Sequence, residues 1–187
     1  MGLYRTKEQQ MTNETARQEF TICSCCGKQV STNQIELCFR RPDPYLLVPL
    51  DELANRTWGN DDLCVIKGKN DSPDRFFVRG LLPILVKDWD APYSIGVWIE
   101  LAGPDFDRIY DLWDEDDQAS EPAFAAKLAN AIPLHTSSYG LAGLLSLTGP
   151  MTRPTFQLSK TANTLFDEQS NGISAHRASQ YADIVPK

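Results

Sequence analysis

The chain has 187 residues, 42% hydrophobic and 10% aromatic, which suits one globular domain with a real core and excludes a disordered chain. Its 18 Lys+Arg against 25 Asp+Glu give a formal charge of -7, which disfavours phosphate backbones and favours a basic protein partner, with solubility as the plainer consequence. No apolar run approaches the roughly 18 residues of a membrane span, and the 5 Cys with no apolar signal segment point to a cytoplasmic protein with reduced thiols.

Residues 1–19 are polar and lack an apolar stripe, so a mobile or helical arm is expected ahead of a single domain over residues 20–187. Residues 20–22 and 35–39 read as short strands flanking a cysteine cluster. Pro42 and Pro44 then force an extended or turned backbone. Residues 49–56 read as a short helix with Asp51 and Glu52 in its first turn. Strands are expected over 63–66, 75–79, 82–86 and 94–101, with a turn at 71–74. Then the period changes: Phe106, Ile109, Tyr110 and Trp113 are spaced by three and four, one face of a helix. The acidic run Asp114, Glu115, Asp116, Asp117 follows. Residues 122–132 are Ala-rich and read as a second helix. Residues 141–147 and 155–158 read as strands, and 163–169 and 174–184 as helices, the last capped by Ser174. The pattern is α+β: a twisted antiparallel sheet with helices packed mainly on one face.

The best-patterned stretch is R-T-W-G-N-D-D-L-C-V-I, then F-F-V-R-G-L-L-P-I, then Y-S-I-G-V-W-I-E-L. It contains no histidine, no serine elbow and no glycine loop for phosphate, so it describes a scaffold. Arg56, Asp62, Cys64, Phe76, Phe77, Arg79, Gly80, Pro83, Gly96, Trp98 and Trp113 carry motifs that resemble the DUF2199 family, a bacterial family named for having no assigned function. The upstream Cys23, Cys26 and Gly27 and the Pro42-Asp43-Pro44-Tyr45 segment match it too. Members of that family often carry a histidine four residues after the second cysteine. Here the position is Val30, so the resemblance implies that any metal ligand there is lost.

No set of residues forms a catalytic apparatus, and the chain reads as non-enzymatic. Cys23 and Cys26 are half of a tetrahedral zinc site without a second Cys or His pair; Cys38 and Cys64 are single, and His135 and His176 lie far along the chain. Structural thiols with no bound cofactor are expected, zinc or redox chemistry on Cys23 and Cys26 being the alternative. His135 reads as part of a solvated loop and His176 as a surface helix residue. Asp114–Asp117 lacks the spacing of a calcium loop and reads as a solvated linker or as a contact surface for a basic protein. Trp89, between two aspartates, is the candidate interface anchor. Arg56, Asp62 and Arg79 read as a clasp across neighbouring strands, with small-anion binding as the alternative, and Gly80 and Trp98 belong to the same scaffold. The expected function is an acidic binding protein, in its sharpest form a bacterial immunity protein that neutralises a basic toxin such as a nuclease. The alternative is a zinc-binding or thiol-dependent module built on Cys23 and Cys26. Neither nucleic acid nor membrane is expected as a partner.

Overall fold

The computed structural model describes residues 20–31 and 36–184. The expected arm over 1–19 and the first residue of the expected 35–39 strand lie outside them. β1 (Phe20–Ile22) and β2 (Gln29–Ser31) form a small antiparallel hairpin. Two single turns of helix, α1 (Asp43–Leu46) and α2 (Leu53–Arg56), lead to β3 (Thr57–Gly59), β4 (Leu63–Ile66), β5 (Arg75–Ile84) and β6 (Tyr93–Leu101). Next come α3 (Gly103–Leu112) and a 3-10 turn at Gln118–Ser120. β7 (Phe124–Leu128), β8 (Ala142–Ser146), β9 (Thr155–Leu158), α4 (Thr164–Asn171) and α5 (Ala175–Ala182) complete the order.

β3 to β9 pair in sequence order, each with an antiparallel neighbour, and β9 then pairs in parallel with β5 at Leu81 and Thr155. β5 to β9 therefore close into a five-stranded barrel, from which β4 and β3 extend. This overturns the expectation of an open twisted sheet with helices mainly on one face. The length of β5 is the physical reason. Its outer edge carries β4 along Arg75–Val78 and is still free at Leu81 to receive β9, and closure leaves fewer unpaired edges. Gly80 sits at this fork, where an added Cβ would lie 2.7 Å from Ile99 Cδ1 and 2.9 Å from the Pro154 carbonyl oxygen.

Two more expectations fail here. Residues 75–79 and 82–86 are not separate strands, because β5 runs unbroken through Gly80 and Leu81 and on past Pro83 to Ile84. The amides of Arg79 and Leu81 both point to the outer edge, donating to the carbonyls of Asp62 and Pro154. Pro83, two residues further, faces that same edge beyond the β9 bridge, so its missing N–H breaks no ladder bond. The expected helix over 122–132 is also absent. Phe124, Ala126 and Leu128 point inward in β7 and Ala125 and Lys127 point outward. That period of two, paired on both sides, outweighs alanine's helix preference.

The β5–β6 ribbon is buried on both faces. Val78, Leu82, Ile95, Val97 and Ile99 enter the main core. On the other face, Phe77 and Trp98 join Val48, Cys64, Ile66 and Ala129 in a second core, with Tyr45 and Leu53 of the first two helices against it. Trp98 is fully buried and its Nε1 donates to the Phe39 carbonyl at 3.2 Å. α3 buries Phe106, Ile109 and Leu112, and Phe106 packs on Phe76 with ring centres 5.3 Å apart. The buried stripe thus runs through Leu112, leaving Tyr110 exposed and Trp113 half-buried. Asn163 caps α4, and Ser174, as expected, caps α5 by accepting from the Arg177 amide. No helix among the described residues is long and apolar enough to cross a membrane.

Candidate functional site

Charge on this chain is concentrated. Residues 105–121 hold eight carboxylates (Asp105, Asp107, Asp111, Asp114, Glu115, Asp116, Asp117 and Glu121) and one basic residue, Arg108. That leaves 17 acidic and 17 basic residues elsewhere, so the whole formal charge of -7 resides in this segment. The fold keeps it outward: the apolar stripe of α3 faces the core, and Asp107, Tyr110, Asp111 and Asp114, at helical spacing, form the opposite, exposed face. Asp114, Glu115, Asp116 and Asp117 continue it, all exposed. Arg108 is bound to Glu121 by two hydrogen bonds, at 3.0 and 2.8 Å, and offsets little of the surrounding field.

An aromatic pair stands beside this ridge. Trp58 on β3 and Tyr110 on α3 meet edge to face with ring centres 6.4 Å apart, while 50% and 54% of their surfaces remain in water. Large aromatics that keep half their area exposed beside a run of carboxylates are able to make apolar and cation–π contacts. Trp89, the anchor expected from sequence, is placed differently. It is half-buried against the main core beside Tyr93, with its Nε1 buried and without a partner.

The cysteine turn joins β1 to β2. Gly27 takes φ 68°, its amide donates to the Cys23 carbonyl at 2.9 Å, and the Cys23 amide donates to the Lys28 carbonyl at 2.9 Å. Cys23 is buried, Cys25 and Cys26 are exposed, and the five cysteines of the chain are all free thiols. The sulfurs of Cys23 and Cys25 lie 3.1 Å apart. Hydrogen bonding from the Cys25 thiol is the main cause that brings Cys23 down to about 6, against burial, with help from the Cys25 and His176 backbone. Cys25 shifts upward: a contact with Ser174 favours its thiolate, but the Cys23 sulfur and burial outweigh it. The Cys25 thiol thus favours the thiolate of Cys23 at the cost of its own ionisation. Val30, on β2, packs against the main core.

Arg56, Asp62 and Arg79 do not come together as a clasp. Arg56 pairs with Glu52 at 2.8 Å and donates to the Lys67 carbonyl. Asp62 pairs instead with Arg153 at 2.8 Å. Arg79 donates to the Cys38 sulfur at 2.6 Å and to the Asp61 carbonyl at 3.2 Å, its Nε remaining buried and unpaired. A shallow cleft of about 500 Å³ is lined by Asp62, Trp113, Met151 and Arg153. Its two charges pair with each other, so it offers little net attraction to an anion.

His135 is not in a solvated loop. Its ring is fully enclosed, with Nδ1 2.7 Å from Thr164 Oγ1 and Nε2 2.5 Å from the Tyr181 hydroxyl. Tyr181 donates to Glu168 at 2.7 Å, and Arg177 donates to the other Glu168 oxygen at 2.7 Å. Burial would raise the Glu168 carboxyl, but hydrogen bonds from His135 and Tyr181 and the Arg177 charge hold it below the usual range. Burial and the adjacent carboxylate push the Tyr181 phenol well above its usual value. The network ties the 133–140 loop to α4 and α5. Sequence spacing gave no signal for it, because its members lie up to 46 residues apart.

Residues 22–173 match the family described as an uncharacterized protein conserved in bacteria, DUF2199. No curated protein and no solved structure matches the chain.

Proposed function

The chain belongs to the DUF2199 family of bacterial proteins, and from that premise we propose that it is a non-enzymatic binding protein whose acidic, aromatic face captures a basic protein. One observation carries this reading: the full net charge of -7 lies within residues 105–121, six of whose carboxylates (Asp107, Asp111 and Asp114–Asp117) are exposed, with Tyr110 exposed among them and in contact with Trp58. Such a localised field orients an oppositely charged partner during approach and raises the association rate by about 10-fold to 1,000-fold at low salt. The aromatic pair then supplies the desolvated anchor that charge alone does not give.

The sharpest form of this function is immunity: the protein occludes the basic active surface of a toxin, such as a nuclease, that would otherwise act on the cell's own phosphate backbones. An acidic ridge is a physical mimic of the toxin's polyanionic substrate. The polar groups elsewhere support the same reading. Asp62 and Arg153 neutralise each other in the open cleft, and the His135–Glu168–Tyr181 network is enclosed.

The test is recovery and rescue. The full chain is used to capture proteins from a culture of a bacterium that encodes it, with the secreted fraction included. The captured protein is then expressed in cells with and without this chain. A basic partner that arrests growth alone and is silenced by the chain supports immunity. Capture of no basic partner, or a captured toxin that still arrests growth in its presence, contradicts it.

A further inference from the structure

The cysteine turn is built more completely than half a metal site. The sulfurs of Cys23, Cys25 and Cys26 lie within 4.8 Å of one another, the one cluster of this kind among the described residues. A tetrahedral zinc ion with Zn–S bonds of about 2.3 Å separates its sulfurs by about 3.8 Å. The observed spread therefore needs only small side-chain rotations to close on an ion. Two of the three thiols are exposed, which gives the ion a path from solvent, and Cys23 anchors the group in the core.

The turn is also held from outside. Asp88 accepts from the Ser24 amide at 3.3 Å and from the Ser24 hydroxyl at 3.2 Å. The same carboxylate accepts from the Ala175 amide at 3.2 Å, at the first residue of α5. Cys25 contacts Ser174 and Cys23 contacts the backbone of His176. Three chain segments thus meet at the turn, and of the two outside it the start of α5 touches the sulfurs, where its partial positive charge favours thiolates.

We propose that Cys23, Cys25 and Cys26 together bind one zinc ion, which fixes the β1–β2 hairpin to the first turn of α5. Three thiolates with Zn²⁺ leave one coordination position that these cysteines do not fill. Binding displaces the thiol protons to solvent, and no electron is transferred. The site is formed by elements other than those of the acidic face, so it stands whether or not that face binds a partner.

Full-length protein, purified without chelators, is analysed for metal, and the metal-free chain is titrated with Co²⁺ alone. About one zinc per chain is expected, together with sulfur-to-cobalt charge-transfer absorption of an intensity matching three thiolates. Cys25→Ser should lose about a third of that intensity and at least about tenfold in affinity, and Cys26→Ser should do the same. Zinc should also shield Cys25 and Cys26 from alkylation in the unmodified chain, a readout that needs no variant to fold. A wild-type chain that takes up no zinc and shows no charge-transfer band overturns the proposal. So does a folded Cys25→Ser protein with the full band.

Discussion

Replacing Glu168 with glutamine keeps the shape of the buried network and removes its charge. The carboxylate accepts from Arg177 and Tyr181, both at 2.7 Å, and stands 3.3 Å from His135 Nε2. Hydrogen bonds to a charged group contribute about 1.5–3 kcal/mol each, and the glutamine oxygen can still accept one of the two, so Glu168→Gln should cost about 2–3 kcal/mol. For a chain of this size that is a fall of roughly 4–12 °C in Tm. The pH dependence has a definite sign. The folded-state pKa of Glu168 is lowered from an ordinary 4.5. Its stabilisation is therefore present in full above the unfolded value and is lost as pH falls through the folded one. Urea unfolding at about pH 7 and about pH 3.5 should show a wide gap between wild type and variant at the first and a narrower gap at the second. Equal stability at neutral pH, or a gap that does not change with pH, would refute the assignment of a charge-dependent clamp.

Three other outcomes follow from the same geometry. Gly80→Ala drives a Cβ to within 2.9 Å of the Pro154 carbonyl oxygen and 2.7 Å of Ile99 Cδ1; it should destabilise by about 1–3 kcal/mol, and hydrogen exchange should rise first in β9. Asp62→Ala breaks only a partly exposed pair with Arg153 and should shift stability by less than about 1 kcal/mol; a loss several times larger in urea unfolding would restore the clasp reading. Burial pushes the Cys64 thiol up to about 11, so a thiol reagent at neutral pH should label exposed Cys26 of the metal-free chain rapidly and Cys64 only as the protein unfolds. Prompt labelling of Cys64 in the native state would contradict the second core.

What sequence reveals here follows from what each signal measures. The strands at residues 63–66, 94–101 and 155–158 and the helix following Gly103 were legible because their periods are local. Closure was not, because it depends on β5 bridging β4 and β9 across one edge, and nothing in residues 75–84 announces a second partner. The expected break at residues 80–81 is absent because one strand can carry both Gly80 and Pro83 when the missing amide faces an edge that needs no donor there. The Ala-rich 122–132 segment misled because propensity is weaker than pairing. The acidic run was visible. Its neighbour Trp58 was not, because it reaches Tyr110 from β3, 52 positions earlier in the chain. Asp107, Tyr110, Asp111 and Asp114 do share a helical face, and that spacing was there to be read. Cys25 lies between the two cysteines of C-x-x-C, and only the turn geometry brings its sulfur beside that of Cys23.

The most direct measurement is titration of the captured basic partner with wild type, Trp58→Ala, and a triple variant carrying Asp107→Lys, Asp111→Lys and Asp114→Lys, at low and high salt. All three positions of the triple variant are exposed, so folding should be intact and checkable by circular dichroism. The expected result is wild-type association that slows steeply with salt, at least about tenfold slower association for the triple variant, and faster dissociation for Trp58→Ala. Binding that is indifferent to salt and unchanged in both variants would place the partner elsewhere and remove the acidic face from the mechanism.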